Sequence, residues 1–177
     1  VPELSQQRAL DGEATPAALV QALGDPDAWV HLAAHGYAQT QLLGYAGAWL
    51  ADPNNPQGSV MLSWLDVINT PLRAPLAVLN ACQLAAGPSA TSQSSLSFAS
   101  AVSAAGVDHV VAAYWPISDS ASATWIPAFY SAMRAQPAAH AMDALRSAQL
   151  ALKDSRSFRH PYYWASLAYF QHLRVGR

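Results

Sequence analysis

Apolar residues come in short runs along this chain, and each run stops at a turn former or a reactive polar residue. Residues 29–34, 76–80 and 107–114 have the length and apolar content of buried strands. His35-Gly36 terminates the first and Pro116 breaks the third. Helical patterns lie between them. Thr15 is placed to cap a helix over 17–23 with Pro16 in its first turn, ended by Gly24-Asp25-Pro26. Residues 62–68 fit a short helix closed by Pro71, and 96–105 a helix ending at Gly106. Two more helices are expected over 120–135 and 138–153, with Pro137 between them. The Gly-punctuated 42–50 reads as a hairpin or edge strands. Residues 52–58, with Pro53, Pro56 and a double Asn, read as a loop. The small and polar 81–95 reads as another loop, 158–161 as a turn, and 162–173 as a last, aromatic strand.

Strands alternating with helices predict an α/β fold, with a parallel sheet covered by helices on both faces. At 177 residues the chain is expected to be one domain with a substantial core. The charged fraction is 11%, well under the usual quarter, while Ala-rich helices and six Trp bring the hydrophobic fraction to 52%. A net charge of −2 and a pI near 6.3 leave no basic stripe, which argues against direct contact with nucleic acid. No apolar run approaches the roughly 18 residues of a membrane span, and no signal peptide is visible. A single cysteine excludes an internal disulfide or a thiolate zinc cage and fits a reducing cytoplasm. The chain opens at Val1 and not Met, so it is expected to be a trimmed piece of a longer polypeptide.

Ligands of such sheets sit beyond the carboxyl ends of the strands. Two runs end there at reactive groups, W-V-H-L-A-A-H-G at His35 and P-L-A-V-L-N-A-C-Q at Cys82. A thiol beside an imidazole is a nucleophile with its own base. Neighbouring strands would hold the two about 5 Å apart laterally. Gly36 would let substrate approach the backbone, its N–H and that of Cys82 serving as oxyanion donors. Cys82 follows His35 by 47 residues, close to the roughly 50-residue His-before-Cys spacing of caspase-type proteases. The competing reading makes Cys82 inert core and His35 structural. His31 and His35 are four apart, but Leu32 stands where a metalloprotease helix has Glu, so no metal is expected. His31 then reads as a buried, hydrogen-bonded strand residue. His109 and His160 read as structural, and His140 and His172 as exposed. The Trp set is expected in the core, except that Trp115 is placed to wall a substrate pocket. No G-x-S-x-G or phosphate-cradling loop is present.

These motifs together resemble the CHAT domain, a caspase-like member of the His–Cys peptidase clan found mainly in bacteria and often joined to tetratricopeptide repeats. D-G-E-A-T at 11–15 is similar to the segment before the family's first helix. Residues 31–36 resemble its H-x-A-T-H-G motif, 79–82 its L-S-A-C, and 97–113 its helix, A-G turn and strand. Y-W-P-I-S-D at 114–119 resembles W-P-V-x-D; Phe129-Tyr130, A-L-R-x-A-Q at 144–149 and H-P-Y-Y-W-A at 160–165 complete the likeness. The resemblance implies a caspase-like, mostly parallel sheet between two helical layers. It also implies a cysteine endopeptidase with His35 as base and Cys82 as nucleophile, needing no cofactor. Expected partners are a protein or peptide substrate and a regulatory sensor, such as tetratricopeptide repeats. The alternatives are a silent caspase-like scaffold and a ligating or cyclising transferase on the same dyad. Two positions depart from the family: Ala34 replaces its Thr, and Asn80 its Ser. Metacaspases carry an Asp two residues before the cysteine, and Asn80 lacks that charge. Asp119 is the remaining acidic candidate for the substrate pocket, or else a helix N-cap. The strand and helix expected before Asp11 are largely missing, so the chain is expected either to be a processed piece or to need a preceding segment to complete the sheet.

Overall fold

Three apolar runs pair directly with one another, and the rest of the architecture follows from covering them. The computed structural model describes residues 11–38, 46–86, 97–135 and 141–173. After a 3₁₀ turn at Asp11–Glu13 come α1 (Pro16–Gly24), β1 (Trp29–Ala33), β2 (His35–Ala38), β3 (Ala46–Asp52), β4 (Asn55–Ser63) and α2 (Trp64–Ile68). They are followed by β5 (Leu76–Asn80), α3 (Phe98–Ala104), β6 (His109–Ala113), α4 (Asp119–Ala135), α5 (Ala141–Asp154), α6 (Pro161–Trp164) and β7 (Leu167–Gln171). One sheet has the spatial order β1-β5-β6-β7, with the first three strands parallel and β7 antiparallel.

Parallel strands are stable only when both faces are covered, and alternation along β5 supplies two apolar faces. Ala77 and Leu79 pack with Leu19 and Leu23 of α1 and with Phe98 and Val102 of α3. Leu76 and Val78 pack on the other face with Trp125 and Phe129 of α4 and Leu145 and Leu152 of α5. The result is the expected mostly parallel sheet between two helical layers. Each large side chain fully buried there contributes about 1.5–3 kcal/mol over leaving it in water.

Local chemistry sets the helix ends. The Thr15 hydroxyl accepts from the Ala18 N–H at 3.3 Å, with Pro16 at the first helical position of α1. At α2 the Asp66 carboxylate accepts from the Ser63 N–H at 2.8 Å. Ser97 and Ser100 form the equivalent reciprocal box at α3. Beyond α3, Gly106 has φ 124, a left-handed conformation open to glycine, and any Cβ there would strike the Leu72 carbonyl.

A second, three-stranded antiparallel sheet, β2-β3-β4, departs most from expectation. Residues 55–58 are strand and not loop, with only Pro53-Asn54 forming the turn. Pro56 is tolerated because β4 is an edge strand, where a missing N–H breaks no ladder. The 162–173 strand is shortened to β7. Pro161 and the His160 ring, whose Nδ1 accepts from the Tyr162 N–H at 3.2 Å, start the short α6 before it. The expectations for 39–45, 87–96 and 136–140, including His140 and Pro137, lie outside the described residues.

Candidate functional site

β1 and β5 pair from Trp29↔Leu76 to Ala33↔Asn80 without a shift, so the 47-residue offset that separates His35 from Cys82 holds along the whole ladder. Each reactive residue follows its strand's last paired position by two. The register therefore carries both chains to the same height at the carboxyl edge of the sheet. β5 and β6 are likewise in step, from Leu76↔His109 to Leu79↔Ala112, which brings Trp115 to that height on the other side of Cys82.

The two chain segments touch through their backbones. A Cβ placed on Gly36 would collide with the Cys82 carbonyl oxygen and press on the Leu84 side chain. Glycine is required there because Cys82 occupies the space any side chain would take. Cys82 is half-buried with a free thiol. The next residue, Gln83, has φ 61, the one non-glycine left-handed residue among those described. This conformation costs an L-residue roughly 1–2 kcal/mol, and the turn it makes is held by Ala86 N–H to Gln83 C=O at 2.9 Å and Ala85 N–H to Ala113 C=O at 3.0 Å. No residue type at 83 signals it in the sequence.

His35 lies just past the end of β1, as expected, but it is itself a strand residue. The chain bends at Ala34, and His35 opens β2, opposite Trp49 of β3. Its ring is exposed and makes no side-chain hydrogen bond among the described residues. Apo catalytic pairs are often loose in this way and tighten with substrate. His31 is more exposed than expected but is hydrogen-bonded, its Nδ1 2.9 Å from the Tyr130 hydroxyl on α4. Burial of its ring lowers the His31 pKa, and burial of the Tyr130 hydroxyl raises that of Tyr130.

The expected substrate-side residues fall at the end of β5 (Asn80), just after β6 (Trp115) and at the start of α4 (Asp119). Asn80 Oδ1 accepts from the Ser122 hydroxyl of α4 at 3.5 Å, the long end of hydrogen bonding. Trp115 is fixed in place: its indole N–H donates to the Tyr162 carbonyl at 2.8 Å, and the Tyr162 hydroxyl donates to the Pro116 carbonyl at 2.8 Å. Asp119 is exposed in the first turn of α4. It is not the N-cap, because the Ser118 hydroxyl accepts from the Ala121 N–H at 3.3 Å. Away from the site, His172 is half-buried and not exposed, with Nδ1 2.9 Å from the Ser103 carbonyl oxygen. His109 Nδ1 lies 2.7 Å from the Tyr169 hydroxyl, whose pKa is raised first by burial and then by the Asp143 charge.

Sequence reasoning missed Ser122 and met Tyr130 and Tyr162 only inside family-like motifs, because the tertiary contacts they make leave no local pattern. It also left Trp49 in the generic core. Alternation along 46–52 was the available signal, since it places Trp49 opposite in sense to Ala48 and Leu50.

A caspase-like α/β sandwich bringing a histidine and a cysteine to one sheet edge defines a peptidase-related class. The chain belongs to the CHAT domain family, whose model matches residues 2–172. It is also 32% identical over 110 residues, 62% of its length, to tetratricopeptide repeat protein 28 of mouse, and equally to that of human. The chain spans about 4% of the length of those curated relatives. No helix among the described residues is long and apolar enough to cross a membrane.

Proposed function

We propose that this chain is a cysteine endopeptidase that cleaves a protein partner through an acyl-enzyme, with His35 and Cys82 as its dyad. The observation that carries the reading is the backbone contact between Gly36 and Cys82 at the end of two strands in exact step. The Cys82 proton passes to the imidazole, and the thiolate adds to the scissile carbonyl. The resulting oxyanion is held by the N–H groups of Gly36 and Cys82. Imidazolium then protonates the amine, the C–N bond breaks, and a thioester remains on Cys82. Water, giving its proton to His35, attacks the thioester and releases the carboxylic acid and the thiol. In this reading Trp115, Asn80 and Asp119 are the residues assigned to the acyl half of the substrate. Control by an attached or associated sensor is supported by the likeness to part of a tetratricopeptide repeat protein.

A second reading, a catalytically silent interaction module, draws on the absence of a hydrogen bond from the His35 ring among the described residues. The test is intact-mass analysis after treatment with electrophilic peptides varied at the residue before the electrophile, alongside Cys82→Ala and His35→Ala. Single labelling that vanishes in Cys82→Ala and slows at least 100-fold in His35→Ala supports the peptidase. Labelling indifferent to His35 sinks the dyad and favours the module.

A further inference from the structure

The exposed face of the three-stranded sheet begins at His35. The register sets His35 opposite Trp49, and Trp49 opposite Met61. Alternation sends Ala48, Leu50 and Leu62 into the core from the other face. Tyr37 and Trp49 are left 42% and 41% exposed on that face.

A groove of about 700 Å³ opens beside this row. His35 and Ala33 form part of one wall, while Trp49, Ala51, Gln57 and Ser59 line it along the hairpin. Among the described residues Cys82 does not line it, and none of those that do is Asp, Glu, Lys or Arg. The groove therefore begins at the imidazole, and its described lining, without Cys82, carries no formal side-chain charge with His35 neutral.

In acyl transfer the imidazole hands its proton to the departing amine, so the amine half of the substrate passes on the imidazole side. We propose that this groove is a subsite for the leaving half of the substrate, selecting a large uncharged side chain, aromatic above all, just after the scissile bond. The assignment to the leaving half rests on the peptidase reading above. The ligand chemistry follows from the groove itself. Trp49 offers a face for an aromatic ring, and a charged side chain entering the groove would lose water without meeting a partner.

The test uses short peptides with a free amino terminus, Xaa-Gly-Gly, where Xaa is Phe, Leu, Asp or Lys. They are titrated into the ¹⁵N-labelled 177-residue chain carrying Cys82→Ala, with the Trp49 indole N–H resonance assigned through Trp49→Phe. The expected result is that Phe binds at least 10-fold tighter than Asp or Lys and shifts the Trp49 indole. Trp49→Ala should weaken Phe binding about 10-fold. Ser59→Glu, a surface change that leaves the core untouched, should turn the preference toward Lys. Equal affinity for Phe and Lys, binding that leaves Trp49 unmoved, or no binding at all overturns the proposal. The two readings fail separately. Selective binding with Cys82 labelling indifferent to His35 leaves a peptide groove and ends both the peptidase and the leaving-half assignment. His35-dependent labelling with unselective binding keeps the peptidase and ends the subsite.

Discussion

Along β5 the four residues Leu76 to Leu79 are buried on both faces, whereas in β3 Trp49 faces solvent between buried Ala48 and Leu50. The two sheets join at Ala34, one residue before His35. The covered sheet has no freedom of register, since a slip of one residue would exchange its two apolar faces. It fixes where Cys82 and the chain leading to His35 emerge. The half-covered sheet holds one face against the core and leaves the other free for chemistry beside the histidine. Position is set in one sheet, and an exposed face is displayed by the other.

The largest effect that would break this contrast lies in the covered sheet. Phe129→Ala removes a fully buried ring from the α4 layer and is expected to lose about 3–5 kcal/mol in urea unfolding. Trp49→Ala, on the open sheet, should stay within about 0.5 kcal/mol; comparable losses would mean that Trp49 belongs to the core. Gly36→Ala comes next, at the seam. Overpacking against Cys82 should cost about 1–3 kcal/mol and slow Cys82 labelling even in molecules that remain folded. Unchanged labelling would show that the seam is loose. At Gln83, a β-branched Val should cost a further ~1–2 kcal/mol because the left-handed conformation disfavours it, while Gly should be tolerated. Matching melts for the two would remove the strain argument.

The smallest effect concerns pH. The His31 pKa is lowered in the fold from its ordinary 6.5, so the unfolded chain takes up its proton first as pH falls. That component of stability is fully present above 6.5, declines as pH drops below it, and levels off beneath the folded-state pKa. His31→Gln should flatten this part of a pH series of unfolding midpoints, and a series identical to that of the parent would show that the ring is not desolvated.

Much of the covered sheet was legible because its strands are short apolar runs bounded by breakers. Residues 76–80 match β5 to the residue, and 29–34 exceeds β1 only at Ala34, where the chain bends. Thr15 and Pro16 marked α1 for the same kind of local reason. The open sheet was much less legible. Pro56 and Gly58 read as loop because an exposed edge strand tolerates the residues a central strand excludes. At the site, the identities and separation of His35 and Cys82 were readable. The bend at Ala34, the left-handed Gln83 and the Trp115–Tyr162 clamp were not, because each depends on contacts with segments distant in sequence. Asp119 showed the limit of a motif. Its position at the helix start was foreseen, but Ser118 holds the cap.

The constant offset along the β1–β5 ladder has a consequence for how the chain tolerates changes in length. The heights of the two reactive residues are counted from strand entry, not along the intervening polypeptide. Extra residues inserted at the Pro53-Asn54 turn would lengthen the interval between histidine and cysteine while leaving both at the same level. One residue added within β5 would leave that interval almost unchanged, yet displace Cys82 by about 3.3 Å and reverse the side of the sheet it faces. Insertional scanning at the two places would therefore rank them opposite to what sequence distance alone implies.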